Sequence, residues 1–229
     1  MKKKNGSRPD HSHSIFQCPL CKSIPIDERE EFLKDVKYTV RHYTQGEMLV
    51  AQGAVSEVLY IVIKGEFYTE MADEKGDYIK IEHIKAPNPL AAGILFASDN
   101  LSPVAAYAKT DSMAVIIPKE NIYLLMNKYE EFMKAYLSYI SNKVAFLSER
   151  LRLASLRTIR AKLAYYMLKE SRGAQVFHLK TSKEELSRLF GVSRPALVNV
   201  MMQMAEEGLI DVSRRKIAIN NRLALQRMF

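Results

Sequence analysis

Residues 181–204 read TSKEELSRLFGVSRPALVNVMMQM, the most informative stretch of the chain. Leu186 and Phe190 are four residues apart, a spacing that places both on one face of a helix. Gly191 follows directly, and glycine adopts the left-handed backbone of a tight turn at little cost. A second run of helical spacing includes Leu197. The stretch therefore predicts two short helices joined by a glycine turn, a helix-turn-helix.

The ends of both predicted helices carry residues that cap helices. Thr181 followed by Glu184 has the spacing of a capping box, and Ser193 is a good N-cap for the second helix. Pro195 falls in the first turn of that helix, where a missing N–H costs little. In DNA-binding proteins the second helix of this motif enters the major groove. The alternative is an ordinary helical hairpin in which the same residues only form a core.

Positive charge is concentrated in the same part of the chain. The length of 229 residues predicts about two domains. The net charge of the chain is +8. Residues 150–229 hold 16 Lys and Arg against 6 Asp and Glu, whereas residues 1–149 hold 18 against 20. A domain that contacts phosphates shows this asymmetry. It favours double-stranded DNA as the partner over the alternative, a sensor whose C-terminal domain contacts another protein.

The remaining composition excludes several classes of protein. The N-terminal Met-Lys-Lys-Lys is followed by polar residues, unlike a signal peptide, and no apolar run approaches the roughly 20 residues of a membrane span. Two cysteines do not make a disulfide framework. Phosphate-loop, GxSxG and HExxH motifs are absent. We therefore expect a cytoplasmic protein that is neither a membrane protein nor an enzyme.

The N-terminal half changes to short strand patterns separated by glycines. The predicted strands include 58–63, 66–70, 78–84 and 113–117, with Gly46, Gly53, Gly65 and Gly76 at turns. Many short strands with glycine turns predict a β-sandwich or barrel.

Two stretches that contain glycines carry a family resemblance. Residues 46–53 read GEMLVAQG, and residues 59–67 read LYIVIKGEF. They resemble the cyclic-nucleotide-binding jelly roll. A jelly roll, a long helix and a winged helix in this order resemble the cyclic-AMP receptor and fumarate–nitrate reductase regulator (CRP/FNR) family, from about Phe16 onward. The resemblance implies an α+β fold with an N-terminal cyclic-nucleotide-binding-type β jelly roll, a long dimerisation helix and a C-terminal winged helix-turn-helix.

This layout gives the predicted domains and partners. The domains are a disordered N-terminal segment at 1–15, an effector-sensing jelly roll at 16–127, a dimerisation helix at 128–154 and a winged helix-turn-helix DNA-binding domain at 155–229. The resemblance implies a homodimeric transcription regulator that binds a pseudo-palindromic DNA site and contacts RNA polymerase.

An apolar repeat runs along the predicted dimerisation helix. Its members are Met133, Leu137, Ile140, Val144, Leu147 and Leu151. Their spacing alternates between four and three residues, which is the 3.5-residue repeat of the seam of a two-stranded coiled coil. Phe132, Tyr136 and Phe146 widen the stripe. We therefore expect one face of the helix against its own barrel and the seam against a second copy of the chain.

The positions that would bind a cyclic nucleotide carry other residues here. In nucleotide-binding members of the family, a carboxylate accepts from the ribose and a guanidinium pairs with the cyclic phosphate. The Glu position matches Ala92, the Arg-Ser pair matches Ser102 and Pro103, and the adenine-contacting pair matches Leu147 and Ser148. We predict that cyclic AMP is not the effector. The apolar replacements favour a filled barrel core; the alternative is a pocket for an apolar effector or haem.

His11, His13, Cys18 and Cys21 form an HxH pair followed by CxxC. Zinc and redox sites use such donors, but an iron–sulfur cluster usually takes four thiolates. In the family resembled, Cys-Pro-Leu followed by an apolar residue opens the first helix, which implies that Cys21 is a small packing residue. We predict no metal or other cofactor. A metal- or redox-sensing regulator that uses this CxxC is the alternative.

The resemblance also implies which residues contact DNA. Base edges would be read by Arg194, Pro195, Val198 and Asn199, where Arg194 suits guanine and Asn199 suits adenine. Family members often carry Glu in place of Pro195 and Arg in place of Asn199, so the target sequence is expected to differ.

Phosphate contacts are expected from both helix starts and from the tip of a β-hairpin wing over residues 208–220. The predicted residues are Ser182, Ser193, Arg214, Arg215 and Lys216, with Thr181 mainly capping the first helix.

Overall fold

A computed structural model describes residues 12–72 and 78–229 of the chain. It divides into two compact units, Met1–Lys143 and Val144–Phe229. Within the described residues, no helix is both long enough and apolar enough to cross a membrane.

Two antiparallel four-stranded sheets form the jelly roll of the first unit. One sheet has the order β1 (Thr39–Tyr43), β8 (Ser112–Pro118), β3 (Val58–Lys64), β6 (Pro89–Leu90). The other has the order β2 (Met48–Val50), β7 (Ala105–Ala108), β4 (Glu66–Ala72), β5 (Tyr78–Lys85). The four strands named from the sequence lie within β3, β4, β5 and β8, which confirms the β-rich fold. Gly46, Gly53 and Gly65 have positive φ, as expected for turns, whereas Gly76 lies outside the described residues.

The helices of the first unit pack around one aromatic core. They are α1 (Ser12–Gln17), a 3-10 turn (Ile26–Glu28), α2 (Arg29–Asp35), α3 (Lys119–Lys128) and α4 (Glu130–Ser155), which continues into the second unit. Phe32 of α2 and Phe132 of α4 are buried with ring centroids 5.4 Å apart. This contact ties the start of the long helix to the N-terminal segment.

The prediction of disorder over residues 1–15 is wrong for its last part. Residues 12–15 belong to α1, and Ile15 is fully buried in the same core. Phe16 adds a ring contact with Phe32 at 6.0 Å. The order of α1 comes from these long-range contacts, because six polar-rich residues do not form a stable helix alone. Residues 1–11 lie outside the described residues.

The second unit contains the end of α4 and a small winged domain. Its elements are α5 (Ile159–Ser171), β9 (Val176–His178), α6 (Lys183–Phe190), α7 (Arg194–Glu206), β10 (Ile210–Ser213), β11 (Lys216–Ile219) and α8 (Arg222–Gln226). The strands form an antiparallel sheet in the order β10-β11-β9. Leu186 and Phe190 of α6 are buried with Leu197 of α7, as the sequence predicts. The short helix α8 was not anticipated; its Leu225 completes the core.

Candidate nucleic-acid interface

Helix α6 begins one residue later than the sequence indicates. The capping box is formed by Ser182 and Glu185, not by Thr181 and Glu184. Ser182 Oγ accepts from the Glu185 N–H at 3.2 Å, and Glu185 Oε2 accepts from the Ser182 N–H at 2.8 Å. Thr181 Oγ1 instead accepts from the Tyr166 hydroxyl at 3.0 Å. Thr181 therefore positions the start of α6 through this hydrogen bond to α5, and it does not cap the helix.

The turn between α6 and α7 has the predicted geometry. Gly191 is left-handed at φ 67°, and Ser187, which is small and buried, lies four residues before it. Ser193 caps α7, with Oγ accepting from the Ala196 N–H at 3.3 Å. Pro195 lies in the first turn. These features fix the direction in which α7 leaves the turn.

Two cations of α5 hold the C-terminal end of α6 and the C-terminal end of α7. Lys162 Nζ donates to the carbonyl oxygen of Phe190 at 2.8 Å, immediately before the turn. Arg160 forms a two-bonded ion pair with Glu207 at the C-cap of α7, with Nη1 2.6 Å from Oε1. This hydrogen bonding lowers the pKa of Glu207 and raises that of Arg160. The contacts position α7 and take two basic side chains out of the set available to DNA.

A groove of about 320 Å³ opens between the starts of α6 and α7 and the turn of the wing. It is lined by Leu179, Thr181, Ser182, Lys183, Glu184, Arg194, Arg214 and Arg215. The Leu179 N–H donates to the Arg215 carbonyl at 2.8 Å, which ties the wing turn to the segment that enters α6. Four lining side chains are cationic and one is anionic, so the groove is suited to phosphate.

Most of this positive charge is unneutralised. Across residues 12–72 and 78–229, no ion pair involves Lys183, Arg194 or Arg214. Arg215 acts on Glu185, whose pKa is lowered first by the hydrogen bonds from Ser182 and then by this charge. The cations therefore remain available to a polyanionic ligand.

The structure brings together, in one groove, half of the ten residues predicted to contact DNA. Thr181, Ser182, Arg194, Arg214 and Arg215 line the groove. The remaining predicted residues are Ser193, Pro195, Asn199 and Lys216, which are exposed, and Val198, which is half-buried. Lys183 was missed in the sequence, where its signal was a basic residue directly after a capping serine.

The hydroxyl groups predicted to bind phosphate already have partners. Ser182 Oγ donates to Glu185 Oε2 at 2.8 Å, and Ser193 Oγ accepts within the cap of α7. The cationic side chains are therefore the main candidates for phosphate binding, with the serines holding the helix starts.

The residues at the nucleotide-binding positions of the first unit are satisfied internally. Ala92 is buried, and its carbonyl accepts from the Tyr136 hydroxyl of α4 at 2.8 Å. Ser102 is buried, and its hydroxyl donates to the Val104 carbonyl at 2.8 Å. Pro103 is exposed. Burial raises the pKa of Tyr136, so the phenol stays protonated and keeps donating.

The apolar repeat of α4 is uncovered in the single chain. Leu137, Val144, Leu147 and Leu151 are 58%, 57%, 61% and 73% exposed, Met133 is also exposed, and Ile140 is half-buried. Ser148, beside Leu147, is exposed as well. A continuous strip of this kind is typical of a protein–protein contact.

The cysteines lie inside the core of the first unit. Cys18 and Cys21 are 0% and 1% exposed, and the hydrogen bond between them, together with burial, raises the pKa of Cys21. A buried thiol with a raised pKa is a poor nucleophile and a poor metal ligand. Within the described residues, no three His, Cys, Asp or Glu side chains form a cluster that could hold a metal ion. His13 is exposed beside Gln17, and His11 lies outside the described residues.

Comparisons with known proteins match both units. A family model described as a cyclic nucleotide-binding domain matches residues 40–129, and one described as a Crp-like helix-turn-helix domain matches residues 161–228. The chain is 22% identical over 173 residues to the cyclic AMP receptor protein of Thermus thermophilus, covering 74% of this chain and 78% of that protein.

Solved structures show the same fold. The catabolite activator protein of Thermus thermophilus is 20% identical and covers 92% of this chain and 97% of its own, with a TM-score of 0.55. DNR from Pseudomonas aeruginosa is 16% identical, and the match covers 98% of this chain and 100% of DNR, with a TM-score of 0.51. CprK complexed with OCPA is 13% identical, and the match covers 90% of this chain and 94% of CprK, with a TM-score of 0.55. With two family models that together span more than half of its length, the chain belongs to the CRP/FNR family of DNA-binding transcription regulators.

Proposed function

We propose that the protein is a homodimeric regulator that binds a specific pseudo-palindromic DNA site. The observation that carries this proposal is the basic groove between α6, α7 and the wing, where Lys183, Arg194 and Arg214 form no ion pair with any described residue. With one groove in each copy, the two half-sites are expected about 34 Å apart, one turn of the duplex. We propose RNA polymerase as a further partner.

We assign one function to each of the predicted domains. We assign effector sensing to residues 16–127, dimerisation to the helix at 128–154 and DNA binding to residues 155–229. The break between α3 and α4 at Tyr129 and the capped start of α5 at Thr158 support these boundaries. The exposed apolar strip of α4 supports a second copy of the chain as its cover.

Selection of bound duplexes from a random DNA pool tests the proposal. The full-length protein is expected to enrich a pseudo-palindrome with half-sites one turn apart. Failure to enrich any duplex would contradict sequence-specific binding. Enrichment of a single, unrepeated half-site would contradict the dimer.

Arg194→Ala and Arg215→Ala are expected to weaken binding in different ways. Arg194 stands at the first position of α7, where a guanidinium can bind guanine, and its loss should cost about 1–3 kcal/mol on the selected site and relax specificity. Arg215 lies at the wing turn, where it would contact phosphate, so its loss should weaken all sequences alike. Binding is measured by fluorescence anisotropy on the selected duplex and on a random one. Equal losses on both duplexes for Arg194→Ala would refute its reading role.

We also propose that the effector of the jelly roll is not cyclic AMP. A cyclic phosphate needs a cation, and between His83 and Tyr107 the only basic residue is Lys85, while the only acid is Asp99. Ala92, at the position of the family's glutamate, has no carboxylate, and its carbonyl already accepts a hydrogen bond from the Tyr136 hydroxyl.

Calorimetric titration of the full-length protein with cyclic AMP is therefore expected to give no saturable binding at micromolar concentrations. A micromolar dissociation constant would overturn this proposal without affecting the proposed DNA binding.

A further inference from the structure

The outer face of α7 is unusually apolar for a helix beside a basic groove. Positions 195, 198, 199 and 202 lie on one face by helical spacing. Pro195 is exposed, Val198 is half-buried and Met202 is 51% exposed, so only Asn199 is polar. These three apolar residues form a stripe that begins next to Arg194, at the edge of the groove.

The stripe is not part of the core of the second unit. The core side of α7 consists of the buried Leu197, Met201 and Met204, with Val200 packed against them. Val198 and Met202 do not belong to that cluster, although both are apolar. Their apolar character is therefore not explained by packing within the unit.

We propose that Pro195, Val198 and Met202 read the methyl groups of thymines in the major groove. The C5-methyl of thymine is the apolar group that a base edge presents there. Arg194 and Asn199 border the stripe and offer hydrogen bonds to guanine and adenine. The half-site then combines these bases with thymines, which makes it richer in A·T pairs than in G·C pairs.

The surroundings of the stripe identify DNA as its occupant. The neighbouring cations Lys183, Arg194 and Arg214 have no acidic partner among the described residues, which favours a polyanion over an apolar protein surface. From position 195 to 202 the helix rises by about 10 Å. That length corresponds to about three base-pair steps of B-DNA. This inference rests on the proposed DNA binding and names the chemistry that the site reads.

Replacement of thymine by uracil tests the inference with the unaltered protein. Uracil pairs with adenine and lacks only the methyl group. In duplexes of the selected sequence, one thymine position at a time is changed to uracil, in both half-sites. At each contacted position we expect about fourfold weaker binding per methyl lost, the effect of one buried CH₂ group. Uracil in the flanks outside the half-sites should leave the affinity unchanged.

Two variants test the assignment to particular side chains. In Val198→Ala/Met202→Ala the thymine-to-uracil affinity ratio should fall to about one at the positions that these residues contact. Leu223→Ala, which truncates another exposed apolar residue of the same unit, should keep the ratio of the wild type.

If the wild type binds tightly and its affinity does not change with uracil at any position, the proposed contact with thymine methyl groups is wrong. The proposed DNA binding is not affected by that result. An unchanged ratio in the double variant would overturn the assignment to Val198 and Met202. Failure to enrich any duplex would contradict the proposed function and this inference together.

Discussion

Val144→Glu combined with Leu151→Glu is expected to convert the protein from a dimer to a monomer and to abolish tight binding to a palindromic site. Both side chains are exposed in the single chain and belong to the 3.5-residue repeat of α4. Burial of a Val or Leu side chain contributes about 1.5–3 kcal/mol, and a two-fold axis doubles each loss. Buried, unpaired carboxylates add a further penalty.

The dissociation constant of the dimer should therefore rise at least about 100-fold, since about 1.4 kcal/mol corresponds to a factor of ten. The measurement is light scattering after size-exclusion chromatography, followed by binding to the selected duplex. Asn142→Glu combined with Ala145→Glu is the matched control, because both residues are exposed on α4 outside the repeat and add the same charge. A monomeric wild type, or equal behaviour of the two double variants, would contradict the assigned seam.

Gly65→Ala is expected to destabilise the first unit by about 3 kcal/mol or more. Gly65 joins β3 to β4 at φ 80°, where a residue with a Cβ atom is strained by about 1–2 kcal/mol. An added Cβ would also overlap Ser112 Oγ and lie 2.7 Å from the Asp111 carbonyl oxygen. Ser112 cannot easily move aside, because its hydroxyl accepts from the Glu66 N–H at 3.1 Å and donates to the Thr110 carbonyl at 2.7 Å.

Gly46→Ala is the matched control for this substitution. Gly46 has a similar φ of 85°, but a Cβ there would meet nothing within 4 Å. It should therefore lose only the backbone contribution of about 1–2 kcal/mol. Urea unfolding followed by circular dichroism measures both losses. Equal losses in the free energy of unfolding for the two variants would show that the crowding at Gly65 does not contribute to the destabilisation.

The helix-turn-helix was predictable from the sequence because its determinants are local. Gly191 at the turn and Ser193 at the cap act within a few residues, and the buried positions follow helical spacing. The error at the start of α6 has a local cause as well. Thr181 and Ser182 are both capping residues, and each is followed three residues later by a glutamate. The hydrogen bond from Tyr166 to Thr181, which no local pattern encodes, selects between the two.

The features that the sequence did not reveal depend on contacts between distant residues. Helix α1 is stabilised by the burial of Ile15 against residues far along the chain. Lys162 and Arg160 look like free cations of α5 in the sequence, but they bind Phe190 and Glu207, 28 and 47 residues away. Because each contact joins residues that are far apart in the sequence, it could be found only after the domain was folded in three dimensions.

Sequence-specific binding is tested by comparing two affinities of the full-length protein. One is its affinity for the selected duplex, and the other is its affinity for a shuffled duplex of equal length and composition. Both are measured by fluorescence anisotropy at the same salt concentration, because the phosphate contribution to binding depends strongly on salt. We predict that the selected duplex binds at least about 10³-fold more tightly than the shuffled one, because α7 reads its bases. Equal affinity for the two duplexes would contradict it, since the basic groove would then bind only phosphate.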